Sequence, residues 1–198
     1  MSIKLKKQIS QNISVAVWQI AETEEFFYDS LQLLPEDEIR IKNCKLQKVR
    51  LQKLACRATL AELLKNNKIG ITYSETGQPQ LKNYSISFSH TTNTVAVALA
   101  KTSVGIDIEV VFPRIRPLYT RFMSEKEITD CDIEDLKDLY YYWCAKEAMY
   151  KWYSKKNIDF IKDLYVDKKE KRAILYNHII VPLFDFYIDN RLIVVCCG

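Results

Sequence analysis

The chain has 198 residues, of which 48% are hydrophobic and 27% are charged. It is therefore long enough to bury a substantial core and too short for two large domains. The net charge of +4 is modest, so the composition does not indicate a nucleic-acid-binding protein. No run approaches the roughly 18 apolar residues of a membrane-spanning helix, and the first residues lack a signal-peptide cleavage site. We expect a cytoplasmic protein with neither nucleic acid nor membrane as a partner.

Cysteine usage points to an intracellular protein without a zinc site. The six cysteines are Cys44, Cys56, Cys131, Cys144, Cys196 and Cys197. None of them forms a C-x-x-C pair that a second pair or a histidine could complete into a zinc site. We expect reduced, mostly buried thiols rather than metal ligands or redox centres.

The first half of the chain predicts a strand, a helical region and two further strands. The alternating segment ISVAVWQI predicts a strand over Ile13 to Ile20. Pro35 followed by EDE is typical of a first helical turn, and Glu36 to about Asn66 predicts one long helix or two short ones. The turn SETGQPQL then leads into the predicted strands SISFSHT and TVAVALA.

The second half begins with a predicted strand over Val104 to Val111, followed by FPRIRP as a loop. Ser124 and Glu127 have capping-box spacing at a helix start, and a long helix is predicted from about Glu134 to Tyr153. The segments LYVD, AILYN, LFDFYID and RLIVVCC predict short strands, the last two joined as a hairpin at Asp189 and Asn190. Each half thus contains a strand, helices and antiparallel strands. This order predicts an α+β fold of two similar subdomains, residues 1–102 and 103–198.

The stretch GIDIE places two carboxylates in an otherwise apolar strand. Side chains alternate along a strand, so Asp107 and Glu109 share one face while Ile106, Ile108 and Val110 share the other. One interpretation is a half-buried strand whose polar face meets water. The other is a cation site, because two carboxylates about 6 to 7 Å apart along a strand can hold a hard cation such as Mg²⁺.

A second chemical signal is WCAKEAMYK in the long second helix. Glu147 and Lys151 are four residues apart and share a helix face, as do Lys146 and Tyr150. Taken alone, Glu147 and Lys151 fit an ordinary ion pair between successive helical turns.

Basic residues form a stripe on the first long helix. Arg50, Lys53 and Arg57 are three and four residues apart and therefore lie on one face. The stripe is either a solvated basic face or a phosphate grip, for which the planar arginine fork is suited. His90, at the end of the predicted strand SISFSHT, fits a satisfied core or edge residue, and His178 is interpreted as a structural residue of the C-terminal tail.

Together, GIDIE and the later W-C-A-K-E-A-x-x-K resemble the signature pair of the 4′-phosphopantetheinyl transferases of the surfactin-synthetase type. Every specified position of the family's two patterns is matched. The segment FSH, Phe88 to His90, resembles the family's S-x-S-H segment, and Phe122, Ser124 and Glu127 resemble its F-S-x-x-E segment. The resemblance covers roughly Pro35 to Phe160.

Two segments depart from the family pattern. In TGQP, Thr76 to Pro79, Gln78 stands where the family often has the lysine of G-K-P. After the second helix, YSKKNIDF lacks the glycines that the family often places there. Gln78 puts one expected phosphate contact in question. The absence of glycines in YSKKNIDF implies a different shape for a loop on the substrate side.

The resemblance implies transfer of the 4′-phosphopantetheine arm of coenzyme A to a serine of an acyl or peptidyl carrier protein. Adenosine 3′,5′-bisphosphate would leave and Mg²⁺ would be required. It also implies a pseudo-twofold fold and, from the chain length, the monomeric branch of the family. The N-terminal subdomain would hold the coenzyme A nucleotide, and the C-terminal subdomain would carry the metal-binding and catalytic motifs.

The family pattern also implies roles for individual residues. Asp107, Glu109 and Glu147 would hold the metal, and Lys151 would offset or protonate the charge on the leaving phosphate. Glu147 would act catalytically by orienting the serine hydroxyl or through a water on the metal. Contacts with coenzyme A are expected from Ser89, His90, Arg50 and Arg57.

Two alternative functions stay open at the level of sequence. The first is a coenzyme A or nucleotide binding module without catalysis, suggested by Gln78 and by the altered loop. The second is a magnesium-dependent phosphohydrolase that uses the same carboxylates. The chain has no P-loop and no histidine-rich metal cluster, so the phosphohydrolase ranks last.

Overall fold

The computed structural model describes residues 3–75, 77–155 and 157–198, and the chain divides into two compact units, Met1–Thr102 and Ser103–Gly198. Both units combine helices with antiparallel sheets, which confirms the predicted mixed α+β class. Each unit has its own cluster of buried apolar side chains.

The first unit contains eight strands and three helices among its described residues. The strands are β1 (Ile3–Ser10), β2 (Ile13–Gln19), β3 (Gln32–Leu33), β4 (Lys68–Ile69), β5 (Thr72–Tyr73), β6 (Pro79–Gln80), β7 (Ser85–His90) and β8 (Thr94–Ala100). The helices are α1 (Glu24–Ser30), α2 (Pro35–Lys42) and α3 (Gln47–Leu64). β1, β2, β8 and β7 form a four-stranded antiparallel sheet in that order.

Helix α3 packs against β2 and β8, the two central strands of this sheet. All seven residues of β8 are buried, because the sheet's centre is covered and its sequence TVAVALA carries no charge. Buried side chains from Trp18, Phe27, Leu54 and Leu60 build the core of the unit.

Among its described residues, the second unit contains five strands, which form one antiparallel sheet, and three helical segments. The strands are β9 (Val104–Val110), β10 (Leu164–Asp167), β11 (Arg172–Leu175), β12 (Ile179–Ile188) and β13 (Arg191–Cys197). The helical segments are a 3₁₀ helix (Pro113–Arg121), α4 (Glu125–Asp130) and α5 (Leu136–Tyr153). The sheet order is β10, β11, β12, β13, β9, so β9 is an edge strand although it comes first in the chain. Helix α5 packs on β9 and β13.

Most predicted elements are confirmed, with small shifts at their ends. The helical region from Glu36 to Asn66 is two helices, α2 and α3, and Pro35 occupies the first turn of α2 as predicted. The capping box of Ser124 and Glu127 is present at the start of α4. The hairpin through Asp189 and Asn190 is present too, with Ile188 opposite Arg191.

Two local predictions are wrong or incomplete. The segment FPRIRP does not form a loop but opens a 3₁₀ helix with Pro113 in its first turn, where a missing N–H costs no helical hydrogen bond. Strand β1, Ile3–Ser10, which pairs with β2, is not among the predicted strands. This strand is mostly exposed and lysine-rich, as edge strands often are, so hydrophobic periodicity does not reveal it.

All six cysteines are free thiols, as expected, and four of them are buried: Cys56, Cys144, Cys196 and Cys197. Over the described residues, none of the helices is both long enough and apolar enough to cross a bilayer.

Candidate active site

In the GIDIE strand, Asp107 is buried and Glu109 is half-buried. Asp107 is only 5% exposed, and Ile106 and Ile108 on the opposite face are buried as well. Asp107 stands opposite Val194 of β13, and Glu109 stands opposite Leu192. The interpretation that the polar face simply meets water is therefore wrong for Asp107, because α5 covers it.

Gly105 explains how closely α5 approaches β9. A β-carbon at this position would lie 1.9 Å from the carbonyl oxygen of Ala148 and 2.8 Å from the amide nitrogen of Trp152. These two atoms belong to one turn of the helix backbone. The glycine of GIDIE is thus required for direct contact between helix and strand, and this contact brings Glu147 and Lys151 to the carboxylates.

Lys151 meets β9 through its ammonium group. Its Nζ donates to Asp107 Oδ1 at 2.7 Å and to the carbonyl oxygen of Ile106 at 3.0 Å. The Lys151 side chain is 27% exposed and that of Asp107 is 7% exposed. Lys151 of α5 therefore forms an ion pair with Asp107 of β9. An i,i+4 ion pair with Glu147 along the helix does not by itself account for the position of the ammonium group.

The carboxylates around Lys151 disfavour one another's charge. Burial, and then the negative charge of Asp107, raise the pKa of the Glu109 carboxyl. Burial and Asp107 also raise the pKa of Glu147, which Lys151 partly opposes. Asp107, Glu109 and Glu147 thus form an acidic cluster with an excess of negative charge that a cation would relieve.

Neighbouring side chains also act on, or respond to, the charges of this acidic cluster. Arg114 reaches the Glu109 carboxylate from the 3₁₀ helix at 3.5 Å, and Trp143 and Arg114 partly offset the rise in the pKa of that carboxyl. Complete burial, together with the charges of Asp107 and Glu109, raises the pKa of the Cys144 thiol well above its ordinary value. Cys144 is therefore a neutral packing residue beneath the cluster.

A second ion pair, fully buried, lies next to the cluster in sequence. Lys146 Nζ donates to Glu127 Oε2 at 2.7 Å, to Phe160 O at 2.5 Å and to Leu164 O at 2.9 Å, and both charged side chains are 0% exposed. Glu127 Oε1 also accepts from the backbone N–H of Val166 at 2.8 Å. Lys146 and Glu127 thus join α4, α5 and β10 at the residue that precedes Glu147.

The capping-box spacing identifies Glu127, and helical spacing places Lys146 on a face with Tyr150, but neither pattern predicts that Glu127 and Lys146 form a pair. They lie 19 residues apart on different helices, so no helical spacing relates them. The available signal for a buried ion pair was Lys146 itself, a lysine on an otherwise apolar helix face. Lysine is almost never buried without a partner.

The donor chemistry fits a hard cation, while the arrangement is not a complete metal site. Three carboxylates offer the oxygen ligands that Mg²⁺ prefers. Among the described residues, however, no group of three or more His, Cys, Asp or Glu side chains is gathered closely enough to hold a metal ion. The ammonium of Lys151 lies against Asp107 in this structure. The ligand set Asp107, Glu109 and Glu147 therefore stays a prediction.

The predicted coenzyme A residues lie in the first unit. Arg57 is 2% exposed, and its guanidinium donates twice to Asp37, with nitrogen to oxygen distances of 3.0 and 2.7 Å. It also contacts the hydroxyl of Tyr73. The solvated-face interpretation is wrong for Arg57, whose contacts are those of a structural ion pair joining α2 to α3.

Arg50 is more accessible than Arg57. Its Nε pairs with Glu24 of α1 at 3.0 Å, and its Nη1 donates to the carbonyl of Cys44 at 2.8 Å. The two arginines of the stripe therefore tie α1 and α2 to α3. Their roles as phosphate ligands stay predictions.

Ser89 and His90 end strand β7, where Ser89 is buried and His90 is exposed. In TGQP, Thr76 lies outside the described residues. Gly77 has a φ of +84°, and the backbone of Gln78 closes the β5–β6 hairpin through Ser74. The burial of Ser89 and the exposure of His90 do not test contact with a nucleotide, so these two contacts stay predictions.

The loop after α5 adopts left-handed conformations without glycine. Ser154, which ends the helix, has a φ of 67°, and Asn157 has a φ of 70°. Lys156 lies outside the described residues. Ser154 and Asn157 thus take left-handed conformations, which glycine favours, in the segment where the family often has glycines.

No curated protein sequence matches this chain. One family model matches it, over residues 103–192. That span contains β9, α4 and α5, and with them Asp107, Glu109, Glu127, Lys146, Glu147 and Lys151. The matched family is the 4′-phosphopantetheinyl transferase superfamily.

Proposed function

We propose that this protein transfers the 4′-phosphopantetheine group of coenzyme A to a serine of an acyl or peptidyl carrier protein. The observation that carries the proposal is the meeting of Asp107, Glu109, Glu147 and Lys151 between β9 and α5, within the residues that match the family. A phosphohydrolase has no comparable support, since nothing in the match points to hydrolysis.

In this reaction the serine hydroxyl attacks the β-phosphorus of coenzyme A. A bond forms between the serine oxygen and that phosphorus, and the bond from the phosphorus to the bridging oxygen breaks. Adenosine 3′,5′-bisphosphate carries the electron pair away. The chief obstacle is negative charge on the diphosphate, which calls for positioned cations.

The residues of the acidic cluster and Lys151 have separate roles in this reaction. Asp107, Glu109 and Glu147 would hold Mg²⁺, which when bound supplies Lewis-acid stabilisation of the diphosphate oxygens. Glu147 orients the serine hydroxyl and accepts its proton. Lys151 releases Asp107 and turns its ammonium to the leaving phosphate. Arg114 pairs with Glu109 and helps to hold its carboxylate in place.

We extend the proposal to the first unit and to the whole chain. Ser89, His90 and Arg50 contact the nucleotide of coenzyme A, and Arg57 supports them from its buried pair with Asp37. The two units share a similar fold, and the chain is a cytoplasmic monomer of the surfactin-synthetase type.

The test is the mass of an apo acyl carrier protein after incubation with this protein, coenzyme A and Mg²⁺, beside a reaction with chelator. A mass gain of one phosphopantetheine group that needs the metal supports the proposal. The variants Asp107→Ala and Glu147→Ala are expected to lower the transfer rate by about 100-fold or more, as loss of charge-stabilising groups does. Tight binding of coenzyme A without transfer to acyl or peptidyl carriers would instead indicate a binding module.

A further inference from the structure

The cations of the stripe on α3 differ in their partners. Arg50 pairs with Glu24, and Arg57 pairs with Asp37. Lys53, between them, forms no ion pair with a carboxylate of the described chain, and its Nζ instead lies 2.9 Å from Cys44 Sγ. A lysine ammonium directly against a cysteine sulfur is an arrangement that the proposed transfer reaction does not use.

The surrounding structure holds the sulfur in this position. Cys44 follows the end of α2, where its backbone N–H donates to Ile41 O at 3.0 Å. Its carbonyl accepts from Arg50 Nη1 at 2.8 Å, and its Sγ is 3.4 Å from Arg40 O. Both Cys44 and Lys53 are half-buried, so small oxidants can reach the sulfur while the neighbouring chain restrains it.

We propose that Cys44 and Lys53 form an oxidation-dependent covalent cross-link between the α2–α3 loop and α3. Cysteines next to cationic side chains are the ones that oxidants attack first. Because Lys53 Nζ lies 2.9 Å from Cys44 Sγ, its amine can act as the nucleophile toward the oxidised sulfur. The site is therefore a modification site for peroxides.

The reaction consumes one hydrogen peroxide. The Cys44 thiol is oxidised to a sulfenic acid as the peroxide is reduced, and one water is released. Lys53 loses its extra proton to solvent, and the neutral amine attacks the sulfur. The S–N bond forms as the S–O bond breaks, and the hydroxyl leaves with an amine proton as a second water. The product is a sulfenamide with one positive charge fewer on α3.

Peptide mass spectrometry of the reduced full-length protein after treatment with hydrogen peroxide tests this proposal. We expect the Cys44 and Lys53 peptides joined, two hydrogens lighter than their sum, with tryptic cleavage after Lys53 lost and restored by dithiothreitol. A joined pair that also retains one oxygen would identify an N–O–S bridge at the same site and would support the cross-link.

The matched control is Lys53→Arg, which keeps the charge and removes the amine. In this variant we expect Cys44 to stop at sulfenic or sulfinic acid, which dimedone and mass detect. Cys131, also half-buried, is the internal control within each sample, since burial raises the pKa of its thiol to about 11. Identical Cys44 products in both proteins, or an unmodified Cys44 where Cys131 is oxidised, would overturn the proposal. Circular dichroism of each sample verifies that the chain is folded.

Discussion

Gly105 lies so close to Ala148 that a β-carbon on the glycine would be 1.9 Å from the alanine carbonyl oxygen. Gly105→Ala must therefore push α5 away from β9. We expect a loss of about 1–3 kcal/mol in the free energy of unfolding, typical of overpacking, and a lower transfer rate because Glu147 and Lys151 move with the helix. Urea unfolding and the carrier-protein mass assay measure the two effects.

Gly70→Ala is the matched control for Gly105→Ala. Its β-carbon would meet only Leu34 Cδ1, at 3.9 Å, so stability and transfer rate should stay near those of the wild type. Equal behaviour of the two variants would show that the approach of α5 does not depend on Gly105.

Replacement of Glu147 should separate stability from activity. The pKa of this carboxyl is raised, so the folded protein holds the proton more tightly than the unfolded chain, and stability falls as pH rises through that pKa. We expect Glu147→Gln to be more stable at pH 7 by about 0.5–2 kcal/mol and to transfer poorly. The stability difference should close as pH is lowered and the wild-type glutamate protonates.

Thermal unfolding across pH measures this difference between Glu147→Gln and the wild type. A variant less stable than the wild type at neutral pH would contradict the excess of negative charge inferred for the acidic cluster.

The buried pair of Lys146 and Glu127 should be needed for stability. Lys146→Met leaves the Glu127 charge buried without its partner, and such a loss costs about 3–5 kcal/mol. Replacing both residues, as Lys146→Met with Glu127→Leu, should recover part of that cost because no lone charge is left. Denaturant unfolding of the single and double variants forms a cycle, and additive losses would argue against direct coupling.

Lys151 should act mainly on turnover. In the proposed reaction its ammonium offsets charge that develops on the leaving phosphate, so Lys151→Ala should lower kcat by about 100-fold with little change in the KM for coenzyme A. Steady-state kinetics with an apo carrier protein measure both. A rise in KM alone would mean that Lys151 only binds ground-state coenzyme A.

The two arginines of α3 should differ in their effect on stability. Arg57→Met removes one partner of a buried ion pair and should cost about 3–5 kcal/mol. Arg50→Met is the control, because its pair with Glu24 is more exposed and should contribute less to the free energy of unfolding. Urea denaturation compares them, and equal losses would show that burial of Arg57 does not matter.

Local patterns were sufficient for much of the fold. Alternation and β-branched residues predicted β2, β7, β8 and β9, and Pro35 predicted the start of α2, because these signals depend on neighbours in the chain. The exposed edge strand β1 and the 3₁₀ helix after Phe112 were missed, since their sequences carry no clear periodicity.

For the candidate site, the sequence alone determined which residue types share a strand face and a helix face: Asp107 with Glu109, and Glu147 with Lys151. Only the tertiary structure decided their partners, because contacts between separate elements depend on how these elements pack. It placed Lys151 on Asp107, paired Lys146 with Glu127, and buried Arg57 against Asp37. The spacing of residues along the chain specifies which side chains share a face of β9 or of α5. The distance between β9 and α5 is set by packing, and here it depends on the absence of a side chain at Gly105.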